Sequence, residues 1–254
     1  MDHSIKKLAI VIHTEEEFDW GKGFFRSNNK VSHGSELINF CENLIAIGAK
    51  ITFALDYAFV QSEQGKQVIQ HFLPLMNKEV EFATHLHPWV NPPYDDERES
   101  FNHPVAGQYS FPGNLPRDDE YNKLKLLTES IFEQTGQQPT TYLAGRYGIG
   151  KNTPEILTSL AYKVDVSISP FADFSSYQGP NFSTVSNNSY ECAGIMNIPH
   201  STGIVSLFLP LSRLLNNKTE LFNKWNNTSH LISDSTSCSL RRVIRNMPIV
   251  IPDW

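Results

Sequence analysis

Val80-Glu81-Phe82-Ala83-Thr84-His85-Leu86-His87-Pro88-Trp89 is the stretch that decides the fold, because an apolar run leads into two histidines and a Pro-Trp stop. The run predicts a buried strand over residues 80–85. Side chains at positions i and i+2 of a strand project from the same face, so His85 and His87 are expected side by side. Two imidazoles arranged in this way are suitable ligands for Zn²⁺ or a similar divalent ion. The sequence therefore suggests a metal site at a strand end.

Strands and helices alternate on both sides of this stretch. Apolar runs predict further strands over residues 7–14, 50–55, 140–143 and 164–169. Helical spacing and end signals predict helices over residues 35–47, 65–76, 118–134 and 153–160. Such alternation favours a parallel sheet with covering helices, either open or closed into a barrel, with functional groups at the carboxyl ends of the strands. We expect an α/β fold in a single domain over residues 1–254.

Composition and charge exclude several kinds of partner. The chain has 254 residues, a formal net charge of −6 and no block of five or more Lys or Arg, whereas nucleic acids and anionic membranes attract concentrated positive charge. About seven apolar residues follow the amino-terminal lysines, too few for a signal peptide or a membrane span. Cys41, Cys192 and Cys238 are too far apart for a disulfide framework or a Cys-x-x-Cys site. We expect a soluble, cytoplasmic protein with no nucleic-acid partner and no membrane span.

Two long loops, residues 88–116 and 170–189, interrupt the alternation. Loops longer than about 15 residues in a compact domain are usually functional. Their aromatic side chains predict either a groove that stacks on sugar rings or other flat ligands, or anchors that hold the loops against the sheet. The sequence leaves both interpretations open. These aromatic residues are Tyr94, Phe101, Tyr109, Phe111, Phe171, Phe174 and Tyr177.

An acidic cluster, Glu15-Glu16-Glu17-Phe18-Asp19, directly follows the first predicted strand. Two histidines need a carboxylate to complete a hydrolytic metal site that keeps a position for water. Glu15 is the best candidate, and His13, two residues before it, is a candidate for proton transfer or for a further ligand. The opposite interpretation, in which the histidines are ordinary strand-end residues and the glutamates form a solvated loop, stays open on these residues alone.

Two further polar residues lie at or near predicted strands. Arg146 follows the strand over residues 140–143 and could orient a carboxylate or bind substrate, although a surface arginine is the commoner outcome. Asp165 lies within the strand over residues 164–169, where a buried acid is costly unless it is paired. Gly145, Gly148 and Gly150 lack the phosphate-binding spacing, and no Gly-x-Ser-x-Gly is present. Nucleotide binding and serine hydrolysis are therefore unsupported.

Five segments, in order along the chain, resemble the polysaccharide deacetylases of the NodB-homology class, the carbohydrate esterase family 4 type. The resemblance covers about residues 6–180, and the loop over residues 110–116 resembles the branch associated with cell-surface polysaccharide gene clusters. One such motif would be weak, but five in the family's order are fairly specific. The segments are residues 13–20 (HTEEEFDW), 52–55 (TFAL), 81–89 (EFATHLHPW), 144–148 (AGRYG) and 165–170 (DVSISP).

The resemblance implies a distorted (β/α) barrel of about seven parallel strands and metal-dependent hydrolysis of an N-acetyl or O-acetyl group on a sugar or polysaccharide precursor. In such enzymes a divalent ion held by one acid and two histidines polarises the acetyl carbonyl, and its bound water attacks. Here Glu15, His85 and His87 fall on the metal positions, with zinc as the expected ion. The candidate catalytic residues are His13, Glu16 and Arg146, and the candidate substrate-binding residues are Trp89, Tyr147 and Asp165.

Three departures from the family pattern concern catalysis. His13 stands where the family has an Asp general base, and Leu143 stands where it has the Arg that steadies that base. The family's closing strand supplies a histidine near its carboxyl end, whereas the late histidines here, His200 and His230, lie in other contexts. These departures leave two alternatives open. One is a catalytically impaired barrel, incomplete at its carboxyl-terminal end, that binds carbohydrate or serves in assembly; the other is a hydrolase of another non-peptide C–N bond.

Overall fold

A seven-stranded sheet forms the centre of the computed structural model, which describes residues 8–94 and 104–202. Strands one to five and strand seven are parallel to one another, whereas strand six pairs antiparallel with strand seven. In chain order the strands are β1 (Ile10–Thr14), β2 (Ile51–Leu55), β3 (Val80–Leu86), β4 (Thr141–Ala144), β5 (Val164–Asp165), β6 (Tyr190–Cys192) and β7 (Ile195–Asn197).

Helices connect the parallel strands, and local sequence determines several of their ends. Asp56 accepts a hydrogen bond from the Phe59 backbone N–H at 2.7 Å and caps the second helix. Ser62 caps the third helix in the same way, through Gly65 at 2.8 Å. The fourth helix ends at Gly136, whose left-handed φ of 72° suits glycine. The helices are α1 (Gly34–Ala46), α2 (Tyr57–Gln61), α3 (Glu63–Phe72), α4 (Arg117–Thr135) and α5 (Thr153–Ser159).

The strand order, β1-β2-β3-β4-β5-β7-β6, shows how the sheet is wound. Each new parallel strand lies on the same side of the previous one. Because parallel crossovers share one hand, such stepping places the helices on one face of the sheet, and α1, α3, α4 and α5 contact one another in chain order. Barrel-type folds step in this way, whereas doubly wound sheets reverse direction. The predicted α/β barrel-like class is confirmed, with an antiparallel edge strand in place of a seventh parallel one.

The two faces of the sheet carry different residues. The register pairs Ala54 with Ala83 and His85 with Leu143, and these side chains share the face away from the helices. Alternate positions of the same strands are large and apolar, and they pack against the helices to form the main core. Small residues in the middle of the inner face thus lead to histidines at its carboxyl-terminal edge.

Several element boundaries differ from the sequence predictions. The helix predicted over residues 65–76 ends at Phe72, because Pro74 lies in the 3-10 turn that follows. β5 ends at Asp165 rather than at residue 169, because the Asp165 side chain accepts hydrogen bonds from the Ser167 backbone N–H and hydroxyl. The β6–β7 hairpin has no sequence prediction, since β6 is exposed throughout and lacks an apolar pattern.

Part of the sequence prediction falls outside the described residues, namely Phe101, His230 and the closing strand of the family. The single domain over residues 1–254 stays a prediction for the same reason. Within residues 8–94 and 104–202, no helix combines the length and the apolar character needed to cross a membrane.

Candidate metal centre

Four ionisable side chains meet at the carboxyl ends of β1 and β3. Glu15 follows β1 directly, His85 lies near the end of β3 and His87 follows it. Glu15 Oε2 lies 2.7 Å from His85 Nε2, 3.5 Å from His87 Nε2 and 3.7 Å from His13 Nδ1. One carboxylate oxygen is therefore surrounded by nitrogens of three imidazoles.

The outer nitrogens of the two β3 histidines have acceptor partners. His85 Nδ1 lies 3.1 Å from the Leu143 carbonyl oxygen, and His87 Nδ1 lies 2.9 Å from Glu16 Oε2. A carbonyl oxygen or a carboxylate accepts hydrogen bonds, so each Nδ1 is assigned the ring hydrogen. Each Nε2 then turns a lone pair towards the Glu15 carboxylate, which is also an acceptor. Only a cation between them, either a proton or a metal ion, makes this contact favourable.

The donor set fits a divalent metal ion. Ligating histidines usually donate their second ring N–H to a carbonyl or a carboxylate, as both do here. One carboxylate oxygen with imidazole nitrogens is a ligand set of zinc and related ions. His13, Glu15 and His85 hold ligand atoms within 4.8 Å of one another, and His87 forms a second such group with Glu16 and Asp56. The predicted ligands Glu15 and His85 thus share a group with His13, whereas the third predicted ligand, His87, approaches Glu15 Oε2 at 3.5 Å from the second group.

The charge state of Glu15 suits this role. Burial alone would raise the pKa of the Glu15 carboxyl. When the cation between them is a proton, hydrogen bonds with His13 and His85, together with the charges of the His85 and His87 rings, outweigh burial and hold this pKa well below its ordinary value. Glu15 is therefore the deprotonated carboxylate that metal binding requires.

A second acidic group lies behind His87 and is buried throughout. Glu16 Oε1 accepts a hydrogen bond from Trp89 Nε1 at 2.9 Å, and the Trp89 ring stacks on the His87 ring at 4.3 Å. Asp56, which follows β2, lies 3.8 Å from His87 Nδ1 and was not singled out from the sequence. Burial raises the pKa of both Glu16 and Asp56; the charge of Glu15 adds to the rise for Glu16, and the charge of Glu16 adds to the rise for Asp56. Glu16, a predicted catalytic residue, therefore contacts the back of His87 and positions that ring.

A pocket of about 420 Å³ opens over the candidate ligands His13, Glu15, His85 and His87. Its walls are mainly aromatic, and Phe111, Phe174 and Tyr177 of the two long loops take part, whereas Tyr94 and Tyr109 do not line it. Three of the predicted aromatic residues therefore line a pocket, and their stacking on a ligand stays a prediction. The lining residues are His13, Glu15, Phe18, Trp20, His85, His87, Trp89, Phe111, Arg146, Tyr147, Phe174 and Tyr177.

Arg146 and Tyr147 enter the pocket from a tight turn after β4. Both have left-handed backbone angles, with φ of 56° and 59°, which non-glycine residues rarely adopt. Gly145 permits the turn, because a Cβ there would lie 2.4 Å from the Leu86 carbonyl oxygen. Strain of this kind persists where the surrounding structure holds the backbone in place, and it is common at functional sites.

His200 is a residue that the sequence argument set aside. It lies beyond the carboxyl end of β7, and its ring centroid is 6.0 Å from that of His13 and 5.2 Å from that of Tyr147. Its Nε2 is buried, and no residue within 8–94 or 104–202 forms a hydrogen bond with it. Burial, followed by the charge of His13, lowers the pKa of His200 to about 4. The only available sequence signal was a histidine shortly after a strand too short to predict.

Asp165 and Leu143 lie away from the pocket lining. Asp165 pairs in register with Tyr142, whose side chain belongs to the helix-side core, and its carboxylate binds Ser167. The predicted substrate-binding residue Asp165 is thus on the opposite face from the candidate ligands. Leu143 is fully buried on the inner face and packs with Ala54 and Val166.

Comparisons with known proteins give similarity in structure only. No protein-family profile matches the chain, and no curated protein matches it. A proposed polysaccharide deacetylase from Mycobacterium smegmatis is 15% identical with a TM-score of 0.43, and the match covers 77% of this chain and 59% of that one. A GH57-type branching enzyme from Pyrococcus horikoshii is 12% identical with a TM-score of 0.46, covering 76% of this chain and 46% of that one. A 4-alpha-glucanotransferase from Thermococcus litoralis is 12% identical with a TM-score of 0.45, covering 91% and 32%. The chain spans less than two thirds of each of these structures.

Proposed function

We propose that this chain is a metal-dependent hydrolase that removes an N-acetyl or O-acetyl group from a sugar or a polysaccharide precursor. The observation that carries the proposal is the convergence of two histidine Nε2 atoms on Glu15 while acceptors hold both Nδ1 atoms. Catalytic zinc sites use such a set of three protein ligands and leave a position for water or substrate. Zinc is the proposed ion, with Glu15, His85 and His87 as its ligands.

The chain's own residues supply the remaining functions. A bound divalent ion would provide Lewis acidity towards the acetyl carbonyl and lower the pKa of a water molecule. Glu16 holds the His87 ring in place through Nδ1. His13 lies at the pocket side of the ligands, and imidazole can take up and release a proton near neutral pH. His200 places a second imidazole beside His13, outside the pocket lining.

The pocket walls are suited to a sugar. Aromatic rings stack on the apolar faces of sugar rings, and Trp20, Trp89 and Phe174 line the cavity. A volume of about 420 Å³ lies within the range of roughly 300–1,000 Å³ that is usual for small-ligand sites. We assign substrate contacts to Trp89 and Tyr147 on this basis, and none to Asp165.

Metal content and acetate release test the proposal together. We expect about one zinc ion per chain after dialysis and acetate release from at least one N-acetylated or O-acetylated oligosaccharide. His85→Gln is expected to lose the ion. His71→Gln is the matched control, because His71 is a half-exposed histidine on α3 that pairs with Glu42 at 3.0 Å, away from the pocket. If His85→Gln keeps the metal, the proposed ligand set is wrong.

A second candidate is a carbohydrate-binding protein with little or no turnover. His13 falls within a group of potential ligands, and the Leu143 side chain on the inner face carries no charge. His13→Asp separates the two candidates. If acetate release rises in this variant while metal content stays constant, the parent protein is an impaired enzyme. If acetate release is lost at constant metal content, His13 is the catalytic group. A panel of small amides run in parallel tests hydrolysis of other C–N bonds.

A further inference from the structure

Arg146 brings an uncompensated positive charge to the pocket. Glu15 is the carboxylate that lines the cavity, and three imidazoles surround it. Among the described residues, no carboxylate forms an ion pair with Arg146, and its guanidinium donates hydrogen bonds to the Ser110 hydroxyl at 2.5 Å and the Gly107 carbonyl at 3.5 Å. Both partners are neutral, so the charge of the guanidinium is left without a counter-ion.

The guanidinium is held in place and still has free donors. It stacks on the Phe111 ring, with its central carbon 4.1 Å from the ring centroid, and lies 5.1 Å from that of Phe24. Both hydrogen bonds use Nη1. A guanidinium carries five N–H donors, so those on Nε and Nη2 remain for a ligand. Their planar, forked arrangement matches the oxygens of a carboxylate or a phosphate.

The backbone under Arg146 is shaped to present this side chain. Arg146 and Tyr147 both occupy the left-handed region, and packing against β3 and the loop at Phe111 leaves space only for glycine on either side. An ordinary surface arginine does not require a turn of this kind. The turn places Arg146 on the wall of the cavity that also contains the candidate ligands.

We propose that Arg146 binds an anionic group of the substrate, so that the sugar that this pocket takes carries a carboxylate or a phosphate in addition to its acetyl group. This inference rests on the proposed function, because it names the substrate class of the same site. The hydroxyls of a neutral sugar would accept hydrogen bonds from the half-buried guanidinium but would leave its charge without a counter-ion in a site that holds less water, which is unfavourable. An anionic sugar supplies charge-assisted hydrogen bonds in the same place. The preference for an anionic sugar therefore arises both from the penalty that a neutral sugar meets and from the hydrogen bonds that an anionic sugar gains.

Binding measured through tryptophan fluorescence tests the inference, since Trp20 and Trp89 line the pocket. The probes are a disaccharide containing N-acetylglucosaminuronic acid and its methyl ester, and N-acetylglucosamine 1-phosphate and the methyl glycoside. Within each pair the partners differ mainly in charge. We expect the anionic partner of at least one pair to bind about 10- to 100-fold more tightly, with a smaller ratio at high salt. The pair that shows the difference identifies carboxylate or phosphate.

Variants assign this preference to Arg146. Arg146→Met should abolish it, and Arg146→Lys should keep part of it because the charge remains. Arg117→Met is the matched control, since Arg117 is exposed on α4 and pairs with Glu155 at 2.6 Å. Circular dichroism checks that each variant is folded. If Arg146→Met does not fold, the comparison of acid and ester in the parent protein still decides.

Equal affinity within both pairs in the parent protein would overturn the inference, and so would a preference that survives Arg146→Met. If Arg146 instead stabilised charge that develops during the reaction, Arg146→Met would lower the turnover of neutral and anionic substrates alike. The binding assay needs no acetate release, so a protein that binds anionic sugars without hydrolysing them would refute the proposed function alone. A protein that releases acetate with no charge preference would refute the present inference alone.

Discussion

Replacing Lys123 with methionine tests how the loop after β3 is held in place. Lys123 lies on α4 and is 2% exposed. Its ammonium donates hydrogen bonds to the carbonyl oxygens of Pro88 at 3.1 Å, Asn91 at 2.8 Å and Pro93 at 2.8 Å. These carbonyls belong to the segment that begins directly after His87. A single buried cation thus ties the loop next to the candidate ligands to a long helix.

The expected loss of stability follows from these three contacts. A hydrogen bond to a charged group contributes about 1.5–3 kcal/mol, so three such bonds are worth roughly 4–9 kcal/mol. Burying the ammonium costs several kcal/mol, which the methionine does not incur. The net expectation is a fall of about 3 kcal/mol in the free energy of unfolding, together with weaker metal binding because the backbone next to His87 loosens.

Urea unfolding followed by circular dichroism measures the first effect, and zinc titration measures the second. Lys125→Met is the matched control, because Lys125 is exposed on the same helix and lies 3.8 Å from Glu129. Its loss should stay within about 0.5 kcal/mol. A change below about 1 kcal/mol in Lys123→Met, with an unchanged dependence on urea, would refute the reasoning.

Three further predictions concern separate parts of the molecule. Burial raises the pKa of Glu120 from 4.5 to about 7, so its contribution to stability is complete below about pH 4.5 and is lost as the pH rises through 7. Glu120→Gln should therefore gain up to about 3 kcal/mol relative to the parent protein between pH 4 and pH 8, and parallel pH series of urea unfolding check this. Gly145→Ala should lower stability by about 1–3 kcal/mol, because the new Cβ would lie 2.4 Å from the Leu86 carbonyl oxygen, whereas Gly107→Ala has open space and should be neutral in thermal melts. Glu16→Ala should weaken zinc binding about 10- to 100-fold, because the His87 ring loses the partner that orients it. Competition with a chromophoric chelator measures the affinity.

The sheet and the cluster of candidate ligands were largely predictable, because they depend on local patterns. Apolar runs located β1 to β4 to within a few residues at each end. The two-residue period of a strand placed His85 and His87 on one face, and the rule that parallel strands end at one edge brought Glu15 to them. No knowledge of tertiary packing was needed for either step.

Residues that depend on exact register or on distant segments were not predictable in the same way. Asp165 was placed near substrate, but its register partner Tyr142 shows that it lies on the helix side, a distinction of a single residue along the strand. Asp56 looked like an ordinary helix cap and yet also lies 3.8 Å from His87. His200 reaches His13 only through β7, whose three residues carry too little pattern to predict.

Position 143 shows that one residue can contribute in two independent ways. Its carbonyl oxygen orients the His85 ring, while its side chain packs among apolar neighbours on the inner face. Any residue type supplies the carbonyl, so substitution at this position leaves the ring orientation intact as long as the new side chain fits. A side chain of different character at position 143 would therefore change the inner face of the sheet without changing the acceptor that the His85 ring uses.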